Sequence, residues 1–188
     1  LHRLGVSRDS LGRTLQALLA GGWMAHNPGP GHPLRPEYVL TAAGKRIAPH
    51  ARRIVDSLRR LDAQDRGLNK WALPVLAALA SSPARRARFS DLARVLNAGE
   101  RAGASGAPGA SARALALALR ELEDEGLIER RVLDTYPPTS RYALTRRSLR
   151  LAAAAHALAI DAGVRLPASP NDSAPAPRAQ ARQHARTA

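Results

Sequence analysis

The chain contains no cysteine. That excludes a disulfide framework, a thiolate nucleophile and a thiol redox sensor, and it accords with an intracellular setting. Aromatic residues are also scarce: Trp23, Trp71, Phe89 and three tyrosines. Binding of single strands by base stacking therefore has few platforms. No apolar run approaches the roughly 18 residues of a membrane span, and no signal peptide is visible. Acidic residues are outnumbered, 15 against 29 basic ones, for a formal charge of +14. Such a field concentrates polyanions and favours nucleic acid over acidic proteins or neutral ligands.

Catalytic signatures are missing too. The histidines (His2, His26, His32, His50, His156, His184) are scattered, without metal-ligand spacing. Gly103-Ala104-Ser105-Gly106 is not a nucleophile elbow, and Gly44-Lys45 lacks the upstream glycine of a phosphate loop. Glu121, Glu123, Asp124 and Glu125 point to several sides of a helix, as a solvated face does. His26 and His32 are a weak ion site at best. No enzyme activity, metal or cofactor is expected.

The stretch Ser111–Thr145 carries the clearest pattern. Leu115, Leu119 and Leu122 recur at i, i+4 and i+7, one apolar face of an α-helix. Ser111 stands at the N-cap position, and Gly126 ends the helix by tolerating a left-handed backbone. Two strand-like runs follow, Leu127–Val132 and Arg141–Leu144, joined across Tyr136-Pro137-Pro138, which must turn. A helix followed by a basic hairpin is the reading half of a winged helix.

The pattern occurs twice. Gly5, Ser7, Leu11, Leu15, Leu18, Gly22, Pro33, Tyr38, Leu40 and Thr41 match Gly109, Ser111, Leu115, Leu119, Leu122, Gly126, Pro137, Tyr142, Leu144 and Thr145. Every pair has one offset (145 − 41 = 104). The period exceeds that of a solenoid, so two whole domains in tandem are expected. The fold class is mainly α: two tandem winged helix-turn-helix domains with small hairpin wings, the N-terminal one incomplete.

In chain order, residues 1–62 form the first repeat. Leu1–Leu4 reads as the end of a helix whose beginning is absent, so the N-terminal helices of this repeat are expected to be missing. Ser7–Ala20 is its recognition-type helix. Trp23–Asn27 and Glu37–Thr41 are its wing strands, around a stiff proline-rich tip, and Ala42–Leu61 is a long helix. Residues 63–69 are a linker. Residues 70–163 form the second repeat, with helices at Lys70–Ala80 and Ser90–Leu96 separated by a basic turn at Pro83–Phe89. Aligning Leu4 with Leu96 gives an offset of 92, so residues 97–108 are an insertion of 12 (104 − 92), Gly/Ala-rich and expected to be a flexible loop. Arg146–Ala162 is a final helix. Residues 164–188 lack periodicity and read as a disordered basic tail.

The second repeat resembles the HxlR family of bacterial winged helix-turn-helix regulators. The likeness runs through Lys70-Trp71, Arg88-Phe89-Ser90-Asp91-Leu92, and Leu115…Leu119-Arg120-Glu121-Leu122-Glu123-Asp124-Glu125-Gly126-Leu127-Ile128-Glu129-Arg130. Pro137-Pro138 and Arg141-Tyr142-Ala143-Leu144-Thr145 complete it. The resemblance implies dimeric winged helices that bind operator DNA, with outer helices forming the dimer. With two copies in one chain, either a homodimer or an intramolecular pseudo-dimer would satisfy this.

The leucine faces set which side chains point outward. On the second helix these are Arg113, Leu117, Arg120 and Asp124; on the first, Asp9, Arg13, Gln16 and Ala20, flanked by Arg8 and Thr14. Arginine reads guanine and glutamine reads adenine in the major groove, which makes Arg13 with Gln16, and Arg113 with Arg120, the base-reading candidates. Arg130, Arg131 and Arg141 on the second wing, Arg35 on the first, and Arg88 before the second helix suit phosphate or minor-groove contact. A solvated arginine is the bland alternative at each position. Arg130 and Arg141 have another, pairing with Glu129 or Asp134 across the hairpin. Trp23, Trp71 and Tyr142 read as core.

The expected function is a sequence-specific, nucleoid-associated cytoplasmic regulator. It would place helices 7–20 and 111–125 in successive major grooves of double-stranded DNA and repress by excluding polymerase. The alternative is a non-specific architectural or protein-interaction winged-helix module, which the outward Leu117 favours.

Overall fold

A computed structural model describes residues 7–27, 37–62, 68–101, 109–136, 138–164 and 166. The elements in chain order are α1 (Arg8–Ala20), β1 (Met24–Asn27), β2 (Glu37–Leu40), α2 (Ala42–Arg60) and α3 (Ala72–Ser81). They continue with β3 (Arg86–Arg88), α4 (Phe89–Arg101), α5 (Ala112–Asp124), β4 (Ile128–Leu133), β5 (Thr139–Leu144) and α6 (Leu149–Asp161). Single 3-10 turns occupy Pro83–Arg85 and Arg146–Ser148.

The repeated residues make repeated structure. Ser7 and Ser111 cap α1 and α5, each oxygen accepting from the amide three residues on at 3.2 Å. Both helices stop the same way. The Gly22 amide donates to the Leu19 carbonyl and the Trp23 amide to Leu18; Gly126 donates to Glu123 and Leu127 to Leu122. This paired bonding needs a left-handed residue, supplied by Gly22 at φ 68° and Gly126 at φ 65°. Both hairpins then pair in one register: Met24 opposite Leu40 and His26 opposite Tyr38, as Ile128 opposite Leu144 and Arg130 opposite Tyr142. Finally a threonine hydroxyl ties each hairpin back to its turn. Thr41 donates to the Gly22 carbonyl at 2.7 Å, and Thr145 to the Gly126 carbonyl at 2.9 Å.

The larger core lies in the C-terminal half. Val75, Leu76 and Leu79 of α3, Leu92 of α4, Leu115, Leu119 and Leu122 of α5, and Leu151 of α6 are all buried in one cluster. Leu127, Ile128 and Tyr142 add the inner face of the sheet, so Tyr142 is the core residue its alternation predicts. Fully burying one leucine contributes roughly 1.5–3 kcal/mol, so this cluster holds α3, α4 and α5 together. Trp71 is half-buried against the cluster, and the Lys70 ammonium stands 5.5 Å from its ring centre. In the N-terminal half the matching Leu11, Leu15 and Leu18 are only half-buried, and α1 buries no residue fully.

The largest departures from the sequence expectation are two. The basic turn at Pro83–Phe89 contains a strand, β3, which pairs antiparallel with β5 and gives the order β3-β5-β4. Propensity missed it because three residues with a small central alanine are too short to show alternation; β5 supplies the ladder bonds. Helix α4 continues to Arg101, so residues 97–101 of the expected flexible loop are helical. Asn97 and Gly99 are poor helix formers, but elongation costs little once a turn exists. The remaining loop residues 102–108, the linker residues 63–67, the first wing tip at 28–36 with His32 and Arg35, residues 1–6 and most of the tail lie outside the described residues.

Helix α2 packs on α6, bringing Ile54 into the main core with Leu58 and Leu61 beside it. Thr41 caps α2 by accepting from the Gly44 amide at 3.0 Å. Gly44 is buried, and a Cβ there would overlap the Trp23 carbonyl; glycine lets the helix start directly on the hairpin. Pro49 lies inside α2 and removes one amide donor, yet the helix continues to Arg60. No helix among the described residues is long and apolar enough to cross a membrane.

Candidate nucleic-acid interface

Helix α5 shows a clean division. Leu115, Ala118, Leu119 and Leu122 are buried against the core, while Arg113, Leu117, Arg120 and Asp124 are exposed. Burial of the leucines therefore sets the rotation of the helix and turns the two arginines outward. Leu117 lies between them, half exposed at 50%. Helix α4 precedes α5, and its buried Asp91 anchors the approach. The Asp91 carboxylate accepts the Arg88 amide at 3.4 Å and meets the Arg94 guanidinium at 3.2 Å.

On α1 the outward residues Asp9, Arg13, Gln16 and Ala20 are exposed, with Arg8 and Thr14 beside them. Among the described residues Arg13 makes only a long contact, from Nε to the Asp9 carbonyl at 3.4 Å. Its guanidinium remains available to a base edge. The Thr14 hydroxyl already donates to the Ser10 carbonyl at 2.8 Å, which leaves it only as an acceptor.

The sheet adds an arrangement that the sequence did not reveal. Arg88 on β3 stands opposite Arg141 on β5, and Arg141 opposite Arg131 on β4. Directly opposed residues of antiparallel strands share a face, so three arginines form one row across the sheet. Arg86 lies two residues from Arg88 on that face, opposite Ala143. The opposite face carries the buried Ala87, Tyr142 and Ile128. Like charges in register repel, and a polyanion laid across the row relieves that repulsion. The row was invisible without β3, because only the third strand places Arg88 in register; the alternation Arg86-Ala87-Arg88 was its one trace.

The remaining candidates are dispersed. Arg130 extends the apolar face beyond the core and is exposed, its Nε donating to the Ser140 hydroxyl at 3.1 Å. Neither Arg130 nor Arg141 forms an ion pair among the described residues, so the pairing with Glu129 or Asp134 is not made. Arg88 is half-buried, with its Nε enclosed and unpartnered. Tyr136, fully exposed beyond β4, and Val132, 64% exposed, mark the second wing as an apolar-tipped projection. His26 packs edge-on against Tyr38, ring centres 5.6 Å apart. Among the described residues no group of three potential ligands could hold a metal ion.

A search of curated proteins found no match. Residues 68–161 match the model of a family described as HxlR-like helix-turn-helix. That segment covers half of the 188-residue chain (161 − 68 + 1 = 94) and runs from just before α3 to the last residue of α6. It thus contains every buried residue of the core cluster except Ile54, the α4–α5 pair and the three-stranded sheet with its arginine row. The chain belongs to the HxlR-like helix-turn-helix family and is a DNA-binding transcription regulator with a winged-helix fold.

Proposed function

We propose that the chain is a tandem regulator in which residues 1–62 and 70–163 are two winged-helix units, joined by the linker 63–69, forming a pseudo-dimer within one molecule. One observation carries this reading. The cap, terminating turn, hairpin register and threonine bond of α1–β1–β2 recur at α5–β4–β5, while α2, which follows the first hairpin, packs on α6, which follows the second. Equivalent helices of a two-fold dimer meet in this way.

In this reading α1 and α5 enter successive major grooves. Arg13, Gln16, Arg113 and Arg120 read base edges, while Arg8, Arg130, Arg131, Arg141 and Arg88 grip the backbone. Arg35 serves on the first wing. Repression follows from occupying DNA that polymerase needs. The exposed Leu117 favours a second reading, a non-specific architectural or assembly module, since leucine donates no hydrogen bond to a base.

Selection of bound duplexes from random DNA, with the mass of the complex measured in solution, separates the two. A shared bipartite motif held by one chain supports the tandem regulator. Uniform recovery of sequences supports the architectural module, and a motif held only by two chains overturns the intramolecular pseudo-dimer.

A further inference from the structure

Helices α2 and α6 run antiparallel. His50 meets Asp161 at 2.7 Å near one end, and the Arg147 guanidinium donates to the Leu61 carbonyl at 2.9 Å near the other. Shifting each partner by the 104-residue offset (145 − 41) and exchanging the helices maps His50 onto Ala154 and Asp161 onto Ser57. The first pair fills the seam between the helices with a hydrogen-bonded contact. The second offers a methyl and a hydroxymethyl in its place. There the seam opens into a crevice of about 330 Å³, lined among the described residues by α2 and α6. That volume lies at the small end of ligand-binding sites.

Its lining is predominantly cationic. Arg53 and Arg60 from α2 and Arg150 from α6 border it, against the single carboxylate of Asp56. None of these arginines has an ion pair or a side-chain hydrogen bond among the described residues. Asp56 stands 3.9 Å from Arg59, outside the lining. Ala154, buried, closes the floor, and the Ser57 hydroxyl donates to the Arg53 carbonyl at 2.7 Å, leaving its lone pairs to accept. Guanidinium groups without partners hold carboxylates in two-pronged geometry, and an alanine floor accepts a flat or short apolar body.

We propose that this crevice binds a small organic carboxylate, its head on the arginines and its apolar body against the alanines of α6. A ligand seated there touches both helices and strengthens their contact. The same guanidinium chemistry would also suit the phosphates of a duplex, and the two sources are separable.

The test is calorimetric titration of the DNA-free full chain with benzoate, inorganic phosphate and chloride at constant ionic strength. Saturable binding of one benzoate per chain is expected, with phosphate and chloride far weaker. Arg53→Gln combined with Arg150→Gln should weaken benzoate at least tenfold, and Ser57→Leu, which fills the crevice, should abolish binding. Circular dichroism of each variant must show the helices retained; if Ser57→Leu misfolds, the Gln pair decides alone. Failure to saturate, phosphate binding as tightly as benzoate, or folded variants that bind benzoate as wild type does would overturn the proposal. So would loss of DNA affinity in the Gln pair with no benzoate binding in wild type, which assigns these arginines to the duplex. Because the titration contains no DNA, its outcome is independent of the tandem-regulator reading.

Discussion

The imidazole Nε2 of His50 lies 2.7 Å from a carboxylate oxygen of Asp161, a contact between residues 111 apart in sequence. It joins α2 to α6 and so couples the two halves of the chain. His50 is mostly enclosed, but Asp161 is 42% exposed, and solvent screens the pair. Comparing His50→Ala, Asp161→Ala and the double variant by urea unfolding should give a coupling of about 0–1 kcal/mol. A coupling above roughly 2 kcal/mol would mean that the pair is far better shielded than its exposure indicates.

Matching leucines should have unequal weight. Leu119→Ala empties a site with 2% exposure and should cost about 2–5 kcal/mol. Leu15→Ala, at the equivalent but half-buried position, should cost clearly less. Urea unfolding of each variant measures this. Equal costs would show that α1 is covered as completely as α5.

The arginine row makes opposite predictions for folding and binding. Arg141 faces Arg88 on one side and Arg131 on the other, so Arg141→Gln relieves repulsion and should leave stability unchanged or slightly raised. DNA affinity should fall for all sequences alike, and the slope of log K against log salt should become shallower by about 1. A loss confined to one sequence would reassign Arg141 to base reading.

The two candidate reading helices should differ in sharpness. Arg13→Ala should cost roughly 1–3 kcal/mol at the cognate site and relax preference at one or two base pairs. Leu117→Ala should cost less and change preference little, because leucine at best touches a thymine methyl. Selection on random duplexes with both variants decides. If Leu117→Ala shifts the selected motif more, α1 is not the principal reader.

Much of the local structure was legible because local rules govern it. Ser7 and Ser111 announced helix starts, Gly22 and Gly126 announced left-handed stops, and the leucine spacing set which face of α5 turned outward. The outward positions of Arg113 and Arg120 followed from that spacing alone.

Other features depended on partners that no short window contains. Strand β3 exists because β5 offers it a ladder, and with it came the row of Arg88, Arg141 and Arg131. Identical leucine spacing left Leu15 half-buried and Leu119 enclosed, because burial depends on what packs above a face, and α3 packs on that of α5. Likewise the sequence showed helices at Ala42–Leu61 and Arg146–Ala162 without saying that they meet. Periodicity by itself determined which side of each helix is apolar. Only tertiary packing decided that these sides face each other, because the energy of burial belongs to the pair and not to either helix.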